Sequence, residues 1–300
     1  MKGITKIIAL VTLVVGMGTS EVEGQQLPQY SQFMLNDYVL NPAVAGSRPQ
    51  FEARALNRSQ WTGITDAPRT FTLSVQGPLK NPHIGLGGYL YTDNVGPTRR
   101  TGAQFSYTYH LFLNETLKLG LGVSMGAQQF AIDGSKIELA EDNDPALYSE
   151  LNSQTVFDAK FGALLYADNF YVGFTFPQLL QNEIKLYDSV EQDFNKLEDH
   201  YYLMAGYTYE INEMFAFEPH LTIKYVAPTP VKWEAGARLH YDDMIWLGGS
   251  YRSNDAGIIM AGFEYREAIT IGYSYDFTTS DLRNYADATH EIVLGFRFNQ

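Results

Sequence analysis

Fourteen charged side chains share one face of segments that alternate in polarity: Glu52, Arg54, Arg58, Lys118, Asp158, Lys160, Glu210, Glu218, Lys224, Lys232, Glu234, Arg238, Glu264 and Arg297. Such a set can line a pore or close on itself as ion pairs, and the mixture of signs favours an internal salt-bridge network over an ion-selective lining. Six histidines (His83, His110, His200, His220, His240, His290) are scattered. His220 and His240 face the same way on neighbouring segments, yet no HExxH or other close ligand spacing accompanies them, so they read as satisfied structural histidines. A hydrolase would need a nucleophile backed by a His, and no GxSxG is present. No catalytic, metal or cofactor residue is therefore assigned. Two acidic stretches remain. Residues 129–154 hold Asp133, Glu138, Glu141, Asp142, Asp144 and Glu150 against Lys136, and residues 177–199 hold Glu183, Asp188, Glu191, Asp193, Glu198 and Asp199 against Lys185 and Lys196. They read as a solvated rim or as a docking surface for a basic or calcium-bridged partner. The run Glu141-Asp142-Asn143-Asp144 offers hard oxygen ligands without the spacing of an EF-hand.

The elements that must position these groups are strands. Hydrophobic alternation with period two recurs at 51–58, 70–77, 83–92, 101–111, 115–128, 155–166, 169–176, 200–211, 214–226, 230–241, 243–252, 256–265, 267–277 and 289–299, which makes 14 segments. Every second connection is short and rich in Asn or Asp: Leu113-Asn114-Glu115, Ala167-Asp168, Asn212-Glu213, Asp242 and Arg266. The intervening ones, 59–69, 93–100, 129–154, 177–199 and 278–288, are often long. An even strand number with short turns at one end and long loops at the other predicts an all-β fold, a transmembrane antiparallel up-and-down β-barrel of about 14 strands with short periplasmic turns and long extracellular loops. In 215–225, Phe215, Phe217, Leu221, Ile223 and Tyr225 alternate with Glu218, His220, Thr222 and Lys224. A charge on the lipid face near the midplane costs roughly 2–4 kcal/mol, so the polar set points inward. Tyr107, Tyr109, Tyr201, Trp233, Tyr241 and Tyr273 fit interfacial girdles, whereas Trp246 falls on the inward face. The last strand presents Ile292, Leu294, Phe296 and Phe298 to lipid and closes the barrel.

Composition and address agree. Lys2 and Lys6 precede an apolar run from Ile7 to Val15, too short to span a bilayer, and Val22 and Gly24 suit a cleavage site, so residues 1–24 read as a signal peptide. The chain has no Cys, which excludes a thiol-linked lipid anchor, a disulfide scaffold and thiolate metal sites. A net charge of −13 makes it a poor nucleic-acid binder. Residues 25–50 contain Pro28, Pro42 and Pro49 without alternation. They read as a periplasmic N-terminal segment able to plug the barrel formed by residues 51–300, with both termini in the periplasm.

That segment also carries motifs. Tyr30-Ser31-Gln32-Phe33 within Gln29 to Met34, Asn41-Pro42-Ala43-Val44-Ala45-Gly46, Arg58-Ser59-Gln60-Trp61, Ala67-Pro68-Arg69-Thr70, His290-Glu291-Ile292 and Phe296-Arg297-Phe298 occur in this order. The set resembles the PorP/SprF family of outer-membrane proteins of the Bacteroidetes type IX secretion system. The resemblance implies a non-enzymatic role in exporting or anchoring a surface protein, adhesin-like and with a C-terminal sorting domain. It also implies contact with periplasmic, peptidoglycan-associated parts of the machinery. Candidate partner-binding residues are Tyr30, Ser31, Gln32, Phe33, Asn41, Pro42 and Gly46 in the N-terminal segment, and Glu141, Asp142, Asp144, Asp188, Glu191 and Asp193 in the outer loops. The alternative reading is a passive or substrate-specific outer-membrane channel, because 14 strands enclose more than wall side chains readily fill.

Overall fold

The computed structural model describes residues 28–137, 151–180, 200–226 and 229–299. Its strands are β1 (Phe51–Ser59), β2 (Arg69–Pro78), β3 (Ile84–Val95), β4 (Thr98–Phe112), β5 (Lys118–Asp133), β6 (Leu151–Ala167), β7 (Phe170–Phe176), β8 (His200–Tyr207), β9 (Tyr209–Glu210), β10 (Phe215–Val226), β11 (Lys232–Tyr241), β12 (Ile245–Arg252), β13 (Ala256–Tyr265), β14 (Ile269–Thr278) and β15 (Thr289–Phe298). All pairings are antiparallel between chain neighbours, and β1 pairs with β15 from Phe51↔Phe298 to Ser59↔His290, which closes the sheet. Both β8 and the two-residue β9 pair with β10, so β9 continues β8 and the wall has 14 strand positions. The break falls at Thr208, near Pro219 of β10, which has no N–H to give to the ladder.

The wall is inverted relative to a water-soluble protein. In β2, Phe71, Leu73 and Val75 are 42–44% exposed, whereas Thr70, Thr72, Ser74 and Gln76 are buried. Period-two alternation with the apolar set outside and the polar set inside places the outer face in hydrocarbon. Among the described residues no helix is long and apolar enough to cross a membrane. The closing strand follows the same rule: Ile292, Leu294, Phe296 and Phe298 are exposed outward, while Glu291 and Val293 are fully buried. Trp246 is buried inside, as its register requires.

Several strands outrun their hydrophobic alternation at the long-loop end. The expected loop 93–100 is a tight hairpin around Gly96-Pro97, with Asp93 paired to Arg100, Val95 to Thr98, and φ +57° at Gly96. Strand β5 continues to Asp133 and β6 begins at Leu151. Alternation fades there because side chains beyond the bilayer meet water on both faces of the ribbon. Residues 138–150 and 181–199, with Glu141, Asp142, Asp144, Asp188, Glu191 and Asp193, lie outside the described residues, as do the expected signal peptide and the N-terminus itself.

The N-terminal segment takes the plugging position expected of it and does not extend into the periplasm: from Tyr30 to Ala45 it is buried inside the barrel. Pro28 and Gln29 border the long-loop mouth beside Gln60, Trp61 and Arg99, whereas Gly46 to Pro49 border the short-turn mouth. The described chain therefore enters the lumen at the mouth opposite to the one where β15 ends. Three short 3-10 turns, Phe33–Leu35, Asp37–Val39 and Pro42–Val44, compact it along the way. Prolines and small polar residues disfavour a ladder, so the segment folds as a strap across the lumen rather than as a further strand.

Candidate functional site in the barrel lumen

The strap is anchored at three levels. Nearest the long-loop mouth, the Ser31 and Gln32 backbone N–H groups donate to the two oxygens of Glu291 at 2.9 and 2.7 Å. The Ser31 hydroxyl donates to Asp276 at 2.6 Å and accepts from Arg58 at 2.6 Å and Arg252 at 2.9 Å. Arg58 also pairs with Asp276 and Glu291, and Arg252 with Glu234, Asp276 and Asp255. Arg58, Arg252, Asp276 and Glu291 are all at most 2% exposed. Buried charges of this kind persist only when paired and hydrogen-bonded on both sides. The strap supplies part of that pairing, and the charges hold the strap.

At mid-depth the contacts are neutral. The Tyr38 hydroxyl donates to Ser106 at 2.9 Å. The Asn41 amide donates to the Ala163 carbonyl at 3.1 Å, while its oxygen accepts from the Ala43 N–H at 2.9 Å and caps the third turn. Thr108 donates to the Pro42 carbonyl at 2.7 Å. A Cβ on Gly122 would overlap the Ala43 backbone, so wall and strap touch main chain to main chain there.

At the short-turn mouth, His110 donates to the Ala45 carbonyl at 2.9 Å and Gln76 accepts from the Gly46 N–H at 2.8 Å. Gly46 has φ +77° and lies against Gly85, which suits the reversal that turns the strap toward β1. Arg48 then bridges Asp37 at 2.6 Å and Glu52 at 2.8 Å. Burial opposes the charged form of Arg48, but the two carboxylates outweigh it and raise the pKa well above the ordinary arginine value.

The strap separates two open vestibules. The one at the long-loop mouth, about 770 Å³, includes Trp61, Arg99, Arg100 and Phe130, and the one at the short-turn mouth, about 700 Å³, includes Arg48, Arg54, Glu218 and Arg238. Among the described residues, spaces of about 40 and 10 Å³ lie along the strap between them. A single water needs roughly 10–15 Å³, so these hold a few waters at most.

The sequence reading and the structure meet unevenly. Tyr30, Ser31, Gln32, Phe33, Asn41 and Pro42 come together inside the lumen, buried, with their contacts on the barrel wall. The expected internal ion-pair network is present: Arg238 on Glu218, Arg58 on Asp276 and Glu291, and Glu52 shared among arginines. Glu210 stands exposed at the short-turn end. His220 bonds Ser250 and His240 bonds Glu218, so the two rings do not converge on a common ligand. Sequence reasoning left Arg252, Asp276 and Glu291 out of the inward charges. Strand parity was the available signal, since Glu291 shares its strand face with Val293 and Arg297, and Asp276 with Ser274. The motif pieces YSQF, RSQW and HEI meet in one cluster, with Ser31, Arg58 and Glu291 in mutual contact.

Comparison with known proteins fits this architecture. The hydrocarbon channel CymD matches at 12% identity and a TM-score of 0.50, covering 96% of each chain. The toluene transporter TodX of P. putida matches at 9% identity and a TM-score of 0.50, covering 87% of this chain and 93% of its own. The Acinetobacter baumannii outer membrane protein Omp33 matches at 12% identity and a TM-score of 0.48, covering 84% of this chain and 100% of its own. At such identities the likeness concerns the fold, an outer-membrane barrel. None of the curated proteins matches. The family described as type IX secretion system membrane protein PorP/SprF matches residues 22–296, and the chain, a barrel whose scattered motifs converge on a lumenal strap, belongs to that family.

Proposed function

We propose that this barrel is a closed, non-enzymatic anchor of the secretion system, which holds a surface protein carrying a sorting domain on its outer side and meets periplasmic, peptidoglycan-associated machinery at its short-turn end. Membership of the family supports a secretion role in general. The observation that favours an anchor over a channel is the strap: it is pinned at three depths, and among the described residues the spaces beside it include ones of about 40 and 10 Å³. A conduit would need a continuous aqueous path through the lumen. Family motifs that build the strap's own anchorage are spent on closing the barrel, which leaves the vestibules and outer loops for partners. Acidic residues Glu141, Asp142, Asp144, Asp188, Glu191 and Asp193 are assigned to the outer, cargo-facing side.

The test is affinity purification of the tagged protein from native outer membranes in mild detergent, with mass spectrometry of what stays bound. The anchor reading expects a large secreted protein with a sorting domain, a peptidoglycan-binding periplasmic protein, or both. A barrel that comes out alone and gives a steady open current in a planar bilayer would overturn it in favour of a channel.

A further inference from the structure

One carboxylate at the short-turn mouth is filled to its full accepting capacity. Glu52 accepts from Arg48 and Gln76 on one oxygen, at 2.8 and 2.9 Å, and from Arg54 and Arg297 on the other, at 3.1 and 3.0 Å. Three guanidinium groups thus converge on a single buried acid. Asp37 relieves Arg48, and Glu264 relieves Arg297. Among the described residues Arg54 has only Glu52, and its Nε and Nη1 donors are buried with no acceptor. Its side chain is 4% exposed and is seated where Gly295 leaves room: a Cβ there would collide with the guanidinium. In the same vestibule Arg238 stacks over Trp246 at 5.1 Å and keeps an unpaired Nε. Arg48 and Arg297, with side chains 35% and 24% exposed, present the accessible part of the cluster to the cavity.

The cluster is short of acceptors, not of charge. An acceptor arriving at Arg297 or Arg48 would release Glu52 oxygens toward Arg54. Planar, bidentate carboxylate geometry matches guanidinium forks. A doubly charged phosphate is disfavoured, because Asp37, Glu218 and Glu264 border the same cavity. The cavity, about 700 Å³, lies within the size range of ligand pockets and opens at the short-turn, periplasmic end. We infer that the short-turn vestibule binds a carboxylate carried by an acidic peptide segment from the periplasm, with Arg48, Arg54 and Arg297 as its recognition residues. This deepens the reading above, since a protein partner is taken as the source of the carboxylate.

The full-length protein in detergent micelles tests it, with fluorescence anisotropy of a C-terminally amidated Gly-Glu-Gly-Glu-Gly peptide that carries an uncharged BODIPY label. The acidic peptide should bind and its Gly-Gln-Gly-Gln-Gly counterpart should not. Arg297→Gln should weaken binding about tenfold, the scale of one lost charge-assisted fork. Arg54→Lys, which keeps the charge on Glu52 but removes the fork, should weaken it as well, so the proposal does not depend on any one variant folding. Asp281→Asn at the opposite mouth should leave binding unchanged. Equal binding of the neutral peptide, or wild-type affinity in Arg297→Gln and Arg54→Lys barrels that retain heat-modifiable migration, would overturn the site. Inorganic phosphate competing better than acetate would overturn the carboxylate assignment. Failure here with secretion partners still co-purifying would leave the anchor reading standing.

Discussion

The hydroxyl of Ser31 gives one hydrogen and accepts two, which is all a serine can do. Ser31→Ala leaves Asp276, Arg58 and Arg252 each short of a partner in a sealed place, so the expected loss is about 1–3 kcal/mol. Glu291→Gln removes one charge from a buried pair and should cost more, about 3–5 kcal/mol. Urea midpoints in detergent, read by heat-modifiable migration, check both, and the order of the two matters more than either value. Parity along β15 and β14 was enough to place Glu291 and Asp276 inside. That they meet Ser31, 260 and 245 residues away, was not legible, because no local pattern encodes a contact across a lumen. The acceptor shortage around Arg54 was equally hidden, since it depends on three arginines from separate segments sharing Glu52.

At the scale of elements, strands and turns were legible because lipid on one side and packed polar groups on the other impose a strict period of two. Strand ends were less so wherever the ribbon leaves the bilayer, as at Asp93–Arg100. The strap was recognisable as non-strand from its prolines, but its course was not, since direction through a lumen leaves no mark on composition. Two outcomes follow. Removing residues 28–45 should convert a silent barrel into one with discrete current steps in a planar bilayer, while heat-modifiable migration shows the wall still closed. On β15, Leu294→Arg puts a cation into hydrocarbon and should cost roughly 2–4 kcal/mol, whereas Asn299→Arg beyond the strand should cost little. Equal urea midpoints for these two variants would contradict the lipid-facing register.

For the whole molecule the decisive quantity is orientation. The chain contains no cysteine, so single cysteines report position without background. Asp281→Cys, at the long-loop end, should react with a membrane-impermeant maleimide on intact cells. Asn114→Cys, in the turn between β4 and β5, should react only after the outer membrane is permeabilised. The reverse pattern would turn the molecule upside down and move the arginine-rich vestibule to the cell surface.

The direction of the strap also constrains how the protein is made. A ring sealed first would then have to admit sixteen residues, Tyr30 to Ala45, through an interior already filled by inward side chains. The seam between β1 and β15 is the last junction available, and the strap holds both of its sides: Arg58 belongs to β1, Glu291 to β15, and Ser31 touches each. Winding the sheet around the strap before its edges are joined, as around a mandrel, avoids that passage. A barrel lacking the strap should still close, but more slowly, and time courses of the folded band during refolding into detergent would display the delay.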